Sequence, residues 1–313
     1  MSKRTATRSQ AAEGAVGPRQ PCPCGSGKRY KNCHGTARGA GDVIVTRPFE
    51  GLAAEGDLVA LREFVPSATA KLPLRDGADV TVASVLPMAA AAVKRSDEEA
   101  FVGLQVQTRS GDLSRDLARA VEWVREAEAG ESLPVVGPET PQPDATRLQD
   151  LIDPDAELDV ELHEDFSWWL PEGTEPTGEI KLSLERANAA IMPTARLSTA
   201  RSAYWVDTGE KAHLRWVRPE PEEKLLAACA RLSARGELAL DDDSRFAGSF
   251  RAHGVLVPVW DLDRDKHPRE WDEPAAALGE RLTEALQSLE STPLDAAERR
   301  SRDGLRGRQV TLR

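Results

Sequence analysis

The stretch that most limits what this chain can fold into is Pro21 to Gly35, PCPCGSGKRYKNCHG. It holds three of the four cysteines, Cys22, Cys24 and Cys33, and His34 follows directly. Two donors two positions apart, a short loop and then two adjacent donors can close a tetrahedral site. Zinc takes that geometry with thiolate and imidazole ligands, and a structural site draws all four from the protein. So short a segment has almost no core and depends on the ion for its order. With Cys22, Cys24, Cys33 and His34 all used, no position stays open for a reactive water, which argues against catalysis by the metal. Iron is the minor alternative for this ligand set.

Clustered cysteines beside a histidine read as a metal site rather than a disulfide framework. The start, MSKRTATRSQ, lacks the apolar core of a signal peptide. No window approaches the roughly 20 apolar residues of a membrane helix. The expected compartment is the cytoplasm, with no membrane partner. The 313 residues carry a net charge of −11, which disfavours nucleic acid as a partner of the whole surface. The charge is uneven: residues 1–47 and the C-terminal tail are rich in Arg and Lys, and the body between them is acidic. Basic ends of this kind can touch RNA or the ribosome, or can be solvated tails.

Residues 1–20 have no apolar periodicity and read as a disordered basic tail. The zinc segment occupies 21–36, and 37–47, Gly- and Ala-rich, reads as a linker. A first α+β subdomain is expected over 48–135. Within it, Asp57 caps a helix through Leu58, Leu61 and Val65, KLPL and VTVASVL form strands about Arg75-Asp76-Gly77, and AFVGLQVQT forms another. Asp112 then caps a helix with Leu113, Leu117, Val121 and Val124 on one face. Residues 136–156, which take in most of PVVGPETPQPD and then an acidic run, read as a linker. A second α+β subdomain is expected over 157–292. Alternation at Leu158, Val160, Leu162 and again at Ile180, Leu182, Leu184 suggests strands. A hairpin turns at Thr208-Gly209, and a helix from Glu220 to Arg235 stops at Gly236. Pro258 pushes the strand GVLVPVW toward an edge, and Asp272 and Pro274 open a last amphipathic helix. After Pro293 the chain turns basic and patternless, a tail over 293–313. The order of elements in the two halves is similar. Internal duplication and chance likeness both stand as explanations.

The zinc segment resembles the SEC-C motif, the small zinc knob at the C-terminus of the SecA preprotein translocase ATPase. The resemblance implies zinc on Cys22, Cys24, Cys33 and His34, and contacts to a chaperone or the ribosome. Lys28, Arg29 and Lys31 then form a basic rim and Tyr30 covers the site. Here the knob is N-terminal, and it covers about a twentieth of the chain. The body from Arg47 onward resembles an uncharacterised actinobacterial family whose members are often labelled as translocase proteins because of the knob; no activity follows. A translocase motor needs a P-loop. The nearest approach, CPCGSGKR from Cys22 to Arg29, has Cys where the first Gly belongs and Arg where Ser or Thr belongs.

Other candidates have ordinary readings. Cys229 sits on an apolar helix face as core filler. His163, His213, His253 and His267 are scattered, and His213 is expected on the solvent side of its strand. Asp261, Asp263 and Asp265 lack the glycine and final glutamate of a calcium loop; with Asp241 to Asp243 they read as solvated acid. Trp168-Trp169 either anchors a partner or packs between helix and sheet. The fold expected is α+β: an N-terminal zinc knob on a flexible tether and a mixed body. The function expected is a non-enzymatic adaptor. The alternative is an enzyme built from dispersed polar residues of the body.

Overall fold

The computed structural model describes residue 29 and residues 44–107, 109–136, 145–171 and 173–308. Helix α1 (Glu55–Glu63) opens the body. It starts two residues before Asp57, on Ala54 and with no side-chain cap, so Asp57 is free for another task. Arg47 clamps its first turn, donating to both Glu55 carboxylate oxygens at 2.6 and 2.7 Å and to the Pro219 carbonyl at 2.8 Å.

The first sheet uses β1 (Ala68–Lys71), β2 (Thr81–Ala83), β3 (Ala92–Lys94), β4 (Ala100–Gly103), β5 (Ser132–Leu133) and β6 (Glu161–Leu162), in the order β5-β3-β4-β2-β1-β6. β1 and β2 pair antiparallel about the predicted turn, where Gly77 takes φ +75°. β2 and β4 run parallel, from Thr81 opposite Phe101 to Ala83 opposite Gly103. Helix α2 (Leu113–Glu126) begins as its sequence demands, with Asp112 Oδ1 accepting from the Ser114 amide at 3.1 Å. Its buried Leu117, Val121 and Val124 are the predicted face. The acidic run includes a short helix, α3 (Leu148–Leu151), with Leu148 and Ile152 fully buried.

Helix α4 (Gly178–Ala189) stands where alternating Ile180, Leu182 and Leu184 suggested a strand. Period-two spacing over so few residues is weak against Lys, Glu, Leu and Ala, all good helix formers. The second sheet follows: β7 (Thr194–Arg196), β8 (Ala203–Asp207), β9 (Ala212–Trp216), β10 (Arg245–Ala252) and β11 (Val255–Leu262), order β10-β11-β9-β8-β7, antiparallel throughout. The predicted hairpin turns at Gly209, φ +92°. β11 is an inner strand, not the edge that Pro258 suggested. Its ladder to β9 starts at Val259, so the missing N–H costs no bond on that side.

Helix α5 (Glu222–Arg235) starts two residues later than expected and ends at Gly236, φ +76°, and α6 (Asp272–Ser288) opens at Asp272 as expected. The stretch expected to be a patternless tail contains α7 (Ala296–Arg306). Asp295 and Glu298 form a capping box at its start. Leu305 is buried, and Glu298 meets Arg231 of α5. Its basic composition hid a helix whose burial rests on two residues.

One face of the second sheet, with Leu214, Trp216 and Trp260, packs on α5, α6 and α7. The other face, with Tyr204, Val206 and Val257, shares a core with α1, α2 and the first sheet. The body is therefore mixed α+β, with two sheets and seven α-helices among the described residues. The two sheets differ in topology, since only the first has a parallel pair. No described helix is long and apolar enough to cross a membrane.

Candidate functional site

The four predicted metal ligands, Cys22, Cys24, Cys33 and His34, lie outside the described residues, as do Lys28, Tyr30 and Lys31 of the expected rim. Arg29 is described and exposed. Among the described residues no group of three His, Cys, Asp or Glu side chains could hold a metal. Whether zinc suits the knob is thus a question of donor chemistry. Three thiolates and one imidazole supply a full set of soft-to-borderline donors, which zinc accepts without reduction or oxidation. The set fits.

In the body, one groove stands apart. Pro87, Met88, Trp169 and Leu170 form one wall, and Ile180, Leu182 and Leu184 of α4 form the other. The space between is about 680 Å³ and open to solvent. Met88 is 82% exposed, Ile180 54% and Leu182 53%. Among the described residues only five large hydrophobic side chains are exposed, and three of them meet here.

Local structure holds this wall in place. Met88 and Ala89 both take positive φ, 58° and 51°, a region that costs L-residues about 1–3 kcal/mol and persists only where the surroundings enforce it. The Ala89 amide donates to the Leu86 carbonyl at 2.9 Å, and Gln107 Nε2 donates to the Met88 carbonyl at 2.8 Å. Gly103 lies beneath the turn. A Cβ there would sit 2.6 Å from the Ala90 carbonyl oxygen, so any side chain would displace the wall. Trp168 and Trp169 are in a 3-10 turn. Trp169 Nε1 donates to the Val85 carbonyl at 3.1 Å, and Phe166 stacks on its ring at 4.4 Å. Trp168 Nε1 donates to Ser67 Oγ at 2.9 Å. Arg95, paired with Glu99, also donates to the Trp168 and Leu170 carbonyls at 2.5 and 3.3 Å. Both indole N–H groups are satisfied inward and both rings are partly exposed.

The titratable groups elsewhere tie elements together. Asp57 is buried, accepting from Tyr204 Oη at 2.7 Å and Arg196 Nη2 at 2.8 Å. Burial pushes its carboxyl up, partly offset by Arg196 and Tyr204. This cluster joins α1 to β7 and β8. His213, expected to face solvent, is partly buried, with Nε2 3.3 Å from Asp261 Oδ1. Burial lowers its pKa, and nearby Arg215 adds to the effect. Asp261 also accepts from Lys211 at 2.7 Å and Arg245 at 2.9 Å. Arg215 is 3% exposed, its Nε has no hydrogen-bond partner, and its guanidinium lies 5.6 Å from the Phe64 ring. Burial brings its pKa down to about 10. Asp241 and Asp243 both hold Lys266, at 2.9 and 2.7 Å. Cys229 is fully buried and its thiol is pushed up to about 12, which suits core filler.

Sequence reading found the tryptophan pair but not the groove. Its second wall is α4, and the strand reading of that segment turned Ile180 and Leu182 to the same side as Leu184. The buried role of Asp57 was hidden behind a credible cap.

Comparison with known proteins divides the chain in two. Residues 19–36 match the SEC-C motif. The same short region resembles the SecA subunit of the protein translocase from Ectopseudomonas mendocina, 61% identical over 31 residues, and from Phocaeicola vulgatus and Bacteroides thetaiotaomicron, each 75% identical over 24. These alignments cover 8–10% of this chain and only 2–3% of the relatives' length. No solved structure matches the chain. The body gives the remaining comparison: its match runs over residues 48–313, which include α1 through α7 and both sheets, so the chain belongs to the family of unknown function DUF5926.

Proposed function

We propose that this protein is a non-enzymatic adaptor, with its N-terminal zinc knob and its body groove as two separate binding surfaces. The observation that carries this reading is the gathering of Met88, Ile180 and Leu182 around the Trp169 wall. Exposed apolar side chains grouped this way mark interaction sites rather than ordinary surface. Zinc held by Cys22, Cys24, Cys33 and His34 supplies the fixed fold of the knob. Lys28, Arg29 and Lys31 then present positive charge to an acidic partner, a chaperone or the ribosome, with Tyr30 beside them. The cytoplasm is the compartment that suits such partners and free thiolates.

The rival reading, an enzyme, draws on His213, Asp261 and buried Arg215. Asp261 is already engaged by Lys211 and Arg245, and no nucleophile is bonded to His213 among the described residues. Binding is favoured.

Co-sedimentation with ribosomes tests the knob, using the intact protein against a Cys22→Ser, Cys24→Ser variant. The variant is expected to stay in the supernatant. Equal pelleting of both would remove the knob from the proposal. If that shared pelleting also fell steeply with added salt, contact by the basic ends with RNA would replace it.

A further inference from the structure

We propose that the groove between α4 and the Met88 turn binds a short apolar segment of another polypeptide, with a basic side chain at one end and an acidic one at the other. This rests on the adaptor reading and names the partner class of its second surface.

Two features of the groove select that occupant over a second copy of the chain. The first is area. The exposed apolar surface is that of three side chains, Met88, Ile180 and Leu182, well short of the ~800 Å² per partner of a stable interface. That is too little for a folded protomer and enough for two or three large side chains. The second is charge. Glu179 and Arg186 line the groove toward opposite ends of α4. Both are exposed, and neither has an ion-pair partner among the described residues. Seven residues of helix place them about 10 Å apart along the axis. That distance matches about three residues of extended chain or two turns of helix. A bound segment thus sets its basic group against Glu179, its acidic group against Arg186, and its apolar residues against Trp169, Met88 and Leu182. Methionine suits such a wall because its thioether adapts to differently shaped side chains.

The probes are fluorescein-labelled twelve-residue peptides with a Leu-Leu-Leu centre flanked by Lys and Glu, by Lys on both sides or by Glu on both sides. Anisotropy titrations use the full-length protein. The Lys/Glu peptide is expected to bind at least tenfold more tightly than either single-sign peptide. Leu182→Glu is expected to abolish binding; the residue is exposed, so circular dichroism should be unchanged. Glu179→Lys is expected to switch preference to the peptide with Glu on both sides. Equal affinity for all three peptides, or none for any, overturns the inference. So does a dimer in sedimentation velocity that Leu182→Glu dissociates, which would give the groove to a second copy. Ribosome co-sedimentation of the same preparations separates these failures from failure of the adaptor reading, because that assay depends on the knob.

Discussion

At Met88 a bulky side chain sits at φ 58°, where glycine would rest without strain. The strain keeps a methionine side chain at the groove wall. Met88→Gly should therefore stabilise the protein by about 1 kcal/mol, the relief of strain exceeding the added backbone entropy. Met88→Ala should not, since alanine keeps the strain. Urea midpoints at unchanged slope measure both. A stabilised Ala variant with an unimproved Gly variant would show that the backbone there is at ease. At Glu298 the interaction is buried: its Oε1 accepts from Arg231 Nε at 2.9 Å, and Arg231 also donates to Ser288 Oγ at 2.5 Å and the Thr292 carbonyl at 2.7 Å. Removing one partner of such a pair costs about 3–5 kcal/mol. Arg231→Ala should show that loss in a denaturant titration. The bond to Arg231 holds the Glu298 carboxyl below its ordinary 4.5. A depressed carboxylate contributes stability above the unfolded value and loses it as pH falls below 4.5 through the folded value. Glu298→Gln should flatten the acid limb of the stability curve below pH 4.5. An acid limb identical to that of the parent would assign acid sensitivity to another group.

Helices α4 and α7 have similar lengths and opposite supports. Of α4 only Leu184 is buried, and an isolated helix of about 12–15 residues is marginal in water. Its amides should exchange at least about 100-fold faster than those of α5, whose Leu225, Leu226, Cys229 and Leu232 are all buried. Hydrogen exchange with mass spectrometry reads this directly, and comparable protection of the two helices would contradict it. Helix α7 is more polar than α4 yet better anchored, through its capping box, Glu298 and Leu305. Deleting residues 294–313 should lower the melting temperature by about 10 °C, because it removes the buried Arg231–Glu298 pair and uncovers the apolar surface beneath Leu305. A truncated protein that melts with the parent would mean that α7 only rests on the surface.

Across the whole molecule, knob and body should behave as separate stabilities, because a zinc knob folds on its ion and the described body residues have extensive apolar cores of their own. Cys22→Ser with Cys24→Ser should abolish bound zinc and leave the melting of the body unchanged. Thiol titration at pH 8 checks the same partition: a chelator should expose three reactive thiols, and Cys229, buried and pushed up to about 12, should react only on unfolding. A fourth fast thiol in the native protein would contradict its burial. Much of this molecule was legible in its residues alone. The Asp112 cap, the Gly209 hairpin and the Gly236 stop are fixed by local chemistry, which needs only a few neighbours in sequence. What tertiary structure decided involves partners far apart along the chain. Asp57 meets Tyr204 and Arg196, Glu298 meets Arg231, and Met88 faces Leu182 across a groove. Sequence spacing carries the period of an element but not which distant element covers it. For that reason α4 was misread, α7 was overlooked, and the groove emerged only once the fold had set its walls in place.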